Sequence, residues 1–259
     1  MVDQRGKLCS AVAAPAGGAS VTVAGVDGCR SGWVAAFATF SMERPEAVRI
    51  EVRLIERFAD LLALPDQPVA MAVDMPIGLP ARFVAGGRRC DQAARQLLGA
   101  GWTSSVFSPP ARAALEASDH AQAMTLQGGG LSIQSFNIVP RVREVDTAIT
   151  PALQESIREA HPELAFRRLN EGRQLRHRKR TTAGQRERVA LLRKAFGAGL
   201  PDPTGVRLRL GTGRVAIDDV VDAMVLADVA RRIHRREAHR VPSGEPPTDA
   251  RGLRMEIWF

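Results

Sequence analysis

The chain is poor in cysteine and in long apolar runs, and each scarcity closes off a class of protein. Its three cysteines, Cys9, Cys29 and Cys90, are odd in number and nowhere form a CxxC pair, so neither a disulfide framework nor a structural zinc site is expected. That usage suits a reducing compartment, and the cytoplasm is the expected location. No run of about 18 or more apolar residues occurs, which argues against a spanning helix and a membrane partner. The chain also lacks GxGxxG, phosphate-loop, HExxH and GxSxG elements, which weakens dinucleotide, NTPase-motor, zincin and α/β-hydrolase readings. At the start, Arg5 and Lys7 precede LCSAVAAPAGGAS, a stretch too rich in Ala, Gly and Pro for the apolar core of an export signal. A flexible tail is expected over residues 1–20.

What remains is an ordinary globular composition: 259 residues, 45% apolar and 25% charged, long enough to bury roughly 70 to 75% of the unfolded surface without help from metals or disulfides. The charge of +8 is unevenly placed. Residues 167–194 carry eleven Arg or Lys against two Glu, a local +9, which leaves the rest of the chain at −1. One basic segment on a near-neutral body suits a polyanion, and nucleic acid is the expected partner; a solvated basic loop is the alternative.

Along the chain, 21–28 and 33–40 read as two strands at hairpin distance, and 47–56 alternates Val48, Ile50, Val52 and Leu54 with charged residues, the period-two mark of a third strand. A short helix before Pro65 follows, then an uninterrupted apolar run, PVAMAVDMP (68–76), typical of a buried central strand. Residues 77–140 are broken by GLP, GG, SPP and GGG around a helical CDQAARQLL, and read as a loop-rich insertion in a single domain of residues 21–259. After it come a helix in PALQESIREA, a strand in HPELAFRRL, a helix in GQRERVALLRKAF and a long helix from Ala216 to about His239. The closing LRMEIWF is apolar enough to dock back on the body. The order gives an α/β fold: a mixed sheet, an antiparallel three-strand meander plus parallel strands, flanked by helices.

Asp27 ends the first strand and Asp74 the central one, while Asp218, Asp219 and Asp222 lie in the last helix. Apolar residues cover most of that helix's circumference, yet Asp222 sits inside the run, and a buried carboxylate there needs a partner. Asp219 and Asp222, three apart, share a face, so a cation between them relieves their repulsion. If the strands bearing Asp27 and Asp74 are neighbours, the four residues form an acidic cluster for one or two Mg²⁺ or Mn²⁺ ions, able to support phosphodiester hydrolysis. Taken singly, an aspartate at a strand end is more often a turn former, and Asp218 suits a helix cap.

VDGCRSGW, VDMPIGLP, GRRCDQAARQLLG, SSVFSPPAR, the run from Gln134 through EVD, EAHPELAF, KRTTAG, DDVVDA and GLRMEIWF together resemble the domain of unknown function 429 (DUF429) family, described as predicted RNase H-like nucleases. The resemblance spans residues 21–259 and implies an RNase H-like fold related to RuvC-type resolvases. It also implies a metal-dependent nuclease whose metal-holding catalytic residues are Asp27, Asp74, Asp219 and Asp222. Many RNase H-like nucleases carry Glu at the central-strand position, where this chain has the shorter Asp74. Within family-like blocks, Glu144, Asp146 and Glu163 either complete the site or serve as an exposed charge, a helix cap and a strand-edge charge. Arg178, Lys179 and Arg180 suit phosphate contacts or a solvated loop, and Arg88, Arg89 and Arg95 suit a phosphate-binding face on the insertion. Cys29 and Cys90 read as buried fillers and His161 as a satisfied core histidine. Two other readings stay open: a nucleic-acid-binding module without catalysis, and a nucleotide-phosphate-binding protein of the sugar kinase and ATPase type, for which DGCRSG (27–32) loosely echoes a phosphate hairpin.

Overall fold

The computed structural model describes residues 20–41, 43–44 and 47–259; Cys9 and the tail expected at the start lie, but for Ser20, outside them. In chain order the elements are β1 (Ser20–Cys29), β2 (Gly32–Ser41), β3 (Arg49–Ile55), α1 (Phe58–Leu62), β4 (Met71–Asp74), α2 (Arg89–Leu98), α3 (His120–Gln127), α4 (Ile133–Asn137), α5 (Val139–Ala148), β5 (Ile157–Glu159), α6 (Pro162–Leu169), α7 (Thr182–Phe196), α8 (Pro203–Leu210), α9 (Ile217–His234), β6 (Arg240–Val241) and β7 (Ile257–Trp258). Five strands form one sheet in the order β3-β2-β1-β4-β5. The first three pair antiparallel, while β4 joins β1, and β5 joins β4, in parallel. This is the α/β mixed sheet that the alternation and the apolar run foretell. No helix among the described residues is long and apolar enough to cross a membrane.

Strand pleating sends alternate residues to opposite faces, and that parity organises the molecule. Ala24, Val26, Met71 and Val73 pack in one cluster with Val142 and Val145 of α5 and with Phe58 and Leu61 of α1. Val23 and Ala72 belong to the cluster on the other face, with most of α9 and parts of α6 and α7. Val220, Val221, Met224, Val225, Leu226 and Val229 of α9 are all buried, and each contributes roughly 1.5–3 kcal/mol of burial. The helix can lie this close because β1 has Gly25 beneath it. A Cβ on Gly25 would sit 2.1 Å from the Ala227 nitrogen and 2.2 Å from the Ala223 oxygen.

Residues 151–169 correct the sequence expectation. PALQESIREA is not a helix but a tight turn followed by β5, and HPELAFRRL is not a strand but α6. Pro162 occupies the first turn of α6, where its missing N–H costs no intrahelical bond. Three residues are too few for β5 to display a period; pairing of Ile157 with Met71 makes it a strand. The segment between β4 and β5 contains α2 to α5 as well as loops, so it is more helical than its Gly and Pro content suggests. The C-terminal residues do dock back: β7 pairs with β6, and Trp258 bridges to Ala160 at the end of β5.

Candidate functional site

The parity that buries Val23 and Gly25 under α9 also assigns Asp27 to that face, and Asp74 follows Ala72 in the same way. Asp27 and Asp74 are register partners at the carboxyl ends of adjacent parallel strands, the end of an open α/β sheet where ligands generally bind. The N-terminal half of α9 closes the corner with Asp222, whose side chain is 1% exposed. Lys179, from the loop before α7, points its ammonium at Asp222 Oδ2 at 2.7 Å and lies 4.0 Å from Asp218.

The electrostatics report a shortage of positive charge. Burial, reinforced by Asp74 and Asp222, pushes the Asp27 carboxyl well above its ordinary range. Burial likewise lifts Asp74 to about 6, with Asp222 and Glu163 adding to it and His161 and Lys179 opposing. Asp219 is raised to about 6 by burial, against the hydrogen bond it accepts from the Ala216 N–H at 2.8 Å. It is thus Asp219, not Asp218, whose side chain binds backbone at the helix start. Lys179 is held far above an ordinary lysine, chiefly by Asp222. Asp222 Oδ1 is buried without a hydrogen-bond partner.

A raised carboxyl pKa in the folded state contributes stability that is whole below the unfolded value of about 4 and is lost as pH rises through about 6. The Asp74→Asn variant, which cannot ionise, is therefore expected to melt above the wild type at pH 8, the gap closing below pH 4. Equal melting temperatures at pH 8 would contradict the electrostatic account.

Next to the carboxylates is a cavity of about 240 Å³ lined by Asp27, Asp74, Lys179, His161 and Glu163 together with Met75, Val106, Phe107, Pro109, Ile138 and Ile257. His161 Nε2 meets the Ser105 carbonyl at 3.1 Å, and since a carbonyl only accepts, that nitrogen carries the proton. Nδ1 is buried without a partner, so His161 is not the satisfied core histidine expected of it. Its position before Pro162 gave no hint of this, because the cavity is built by the distant 105–109 segment.

The remaining expected residues divide sharply. Glu163 is buried and joined to Arg188 by two 2.8 Å bonds; it lies in the first turn of α6 rather than on a strand edge. Glu144 accepts from Trp33 Nε1 and the Phe58 N–H, both at 2.9 Å, and pairs with Arg141. Asp146 lies within α5, caps no helix, and pairs with Arg112 and Arg251 at 3.1 and 3.2 Å. Neither Glu144 nor Asp146 lines the cavity. Arg88 is buried and bound to Asp91 and Glu159, so it is no surface phosphate contact. Arg95 is spent on the Val106 and Gly86 carbonyls and Ser108 Oγ. Arg89 and Arg180 are exposed. Arg178, also exposed, covers the Trp102 ring at 4.5 Å. Cys29 and Cys90 are buried free thiols, as expected of fillers.

Whether these residues suit a divalent ion is a question of donors and charge. Hard carboxylate oxygens, an orphaned Asp222 Oδ1 and raised carboxyl pKa values all fit one. Among the described residues, however, no three His, Cys, Asp or Glu side chains stand as a ready metal-binding group. The donors fit in kind, and Lys179 provides the cation the structure contains.

Fold and site together define an α/β protein with aspartates gathered at the carboxyl ends of two parallel strands. The family model of a protein of unknown function, DUF429, matches residues 25–247, and the chain belongs to that family. No curated protein and no solved structure matches it.

Proposed function

We propose that this chain is a metal-dependent nuclease of RNase H-like fold that hydrolyses phosphodiester bonds in DNA or RNA. The observation that carries the reading is the convergence of Asp27, Asp74 and Asp222 from β1, β4 and α9 on one corner whose charge Lys179 only partly offsets. Asp27, Asp74, Asp219 and Asp222 would hold Mg²⁺ or Mn²⁺, one ion or two. When bound, such an ion activates water and stabilises the leaving oxygen. Lys179 is placed to neutralise a phosphate oxygen once a cation relieves it of Asp222. The basic segment that carries Lys179 supplies attraction for the flanking phosphates.

The Asp222→Asn variant should lose Mg²⁺- or Mn²⁺-dependent cleavage of single strands, duplexes, hybrids and branched junctions while keeping the wild-type circular dichroism spectrum. Cleavage retained by that variant would overturn the assignment. A second reading, a nucleic-acid-binding module without turnover, is favoured by the Lys179 ammonium already bound to Asp222. It requires salt-sensitive binding with no cleavage and no effect of metal on melting temperature.

A further inference from the structure

The walls of the cavity beside the carboxylates carry more information about substrate than the carboxylates do. Asp27 is 8% exposed and lines the recess together with Asp74, so a phosphate reaches them only by descending into it. The recess holds about 240 Å³, below the roughly 300–1,000 Å³ of pockets for drug-sized ligands. That admits part of a single nucleotide at a time, not a double helix whose major groove alone is about 12 Å wide. Part of its lining is apolar: Val106, Phe107, Pro109 and Ile138, with Met75 and Ile257. Phe107 is 41% exposed, an aromatic ring left open next to the charged residues of the site. Lys179 lines the recess, and its exposed neighbours in the chain are Arg178, whose guanidinium lies over Trp102, and Arg180.

A duplex offers such a wall little, since its base faces are stacked inside and only base edges, sugar and phosphate are open to contact. An unpaired base supplies an apolar face for Phe107 and Ile138, while its phosphate meets Lys179 and its neighbours along the strand meet Arg178 and Arg180. We infer that the site takes a single unpaired nucleotide of a nucleic-acid strand, its base against the Phe107 wall and its phosphate at Lys179. This rests on the nuclease reading for its chemistry but on the cavity for its ligand.

The test is fluorescence anisotropy with the full chain and a labelled single-stranded oligonucleotide, against the same sequence as a blunt duplex and against the mononucleotide as competitor. The wild type should bind the single strand at least about tenfold more tightly than the duplex. Phe107→Ala should weaken single-strand binding by roughly tenfold and leave duplex binding unchanged, as alanine substitution at a base-stacking aromatic does. Phe107 lies at the surface, and circular dichroism of the variant checks that the fold is kept. Duplex binding equal to single-strand binding, or an unchanged Phe107→Ala variant, overturns the inference even if the wild type cleaves nucleic acid. A mononucleotide competing as well as the oligonucleotide overturns it in favour of a free nucleotide. Phe107-dependent single-strand binding without cleavage supports the ligand while removing the nuclease.

Discussion

Arg88→Ala is expected to destabilise the protein by about 3–5 kcal/mol, while Arg89→Ala next to it changes stability by no more than about 0.5 kcal/mol. Arg88 is 4% exposed, and its guanidinium is shared between Asp91 at 2.7 Å and Glu159 at 2.5 Å. It also donates to the carbonyls of Ile77 and Gly78 at 3.1 and 3.0 Å. Removing it strands two buried carboxylates in a poorly solvated place, and losing one member of a buried pair costs far more than the pair itself contributes. Burial already holds the Glu159 carboxyl at about 7. In the variant it takes up a proton instead, so the loss shrinks at acidic pH. Glu159 also accepts from the Ile77 N–H at 2.7 Å, which ties the loop after Asp74 to the end of β5. Urea unfolding of both variants at pH 8 and pH 5 measures the contrast. Equal midpoints for Arg88→Ala and Arg89→Ala would refute the buried network.

Gly25→Ala is expected to cost about 3 kcal/mol or more, because the new methyl meets backbone rather than a side chain that can swing away. Its Cβ lies 2.1 to 2.4 Å from the Ala227 nitrogen, the Ala223 oxygen and the Leu226 carbonyl carbon, so α9 has to move as a body. Asp222 precedes Ala223 directly, and the same displacement draws its carboxylate away from Asp27. Thermal melting should show the destabilisation, and whatever metal-dependent cleavage the wild type has should fall with it. Gly213, with open space around its added Cβ, is the control, and Gly213→Ala should stay within about 0.5 kcal/mol. A Gly25→Ala variant that melts like Gly213→Ala would mean that α9 is not pressed on β1.

The legible parts of the fold were those with a period long enough to read. Ten-residue β1 and β2, the alternation of β3 and the apolar α9 stand where their patterns put them, save that α9 ends at His234, short of the expected His239. Residues 151–169 were misread because a three-residue strand, held by its pairing with β4, has no pattern of its own. Asp27, Asp74 and Asp222 were legible as candidates: strand ends and a carboxylate inside an apolar helix are anomalies that sequence exposes. Lys179 was legible as a candidate phosphate contact but not as the partner of Asp222, and Arg88 was indistinguishable from Arg89.

The sequence by itself determined the mixed sheet, the burial of α9 and the presence of aspartates at the ends of two strands, because periodicity and composition are local properties of the chain. The tertiary structure decided which charges belong together: Lys179 to Asp222, Arg188 to Glu163, and Arg88 to Asp91 and Glu159. Three of these four pairings join residues at least 25 apart. The Coulomb energy of an ion pair depends on distance in space and on the local dielectric, neither of which is written in the order of residues.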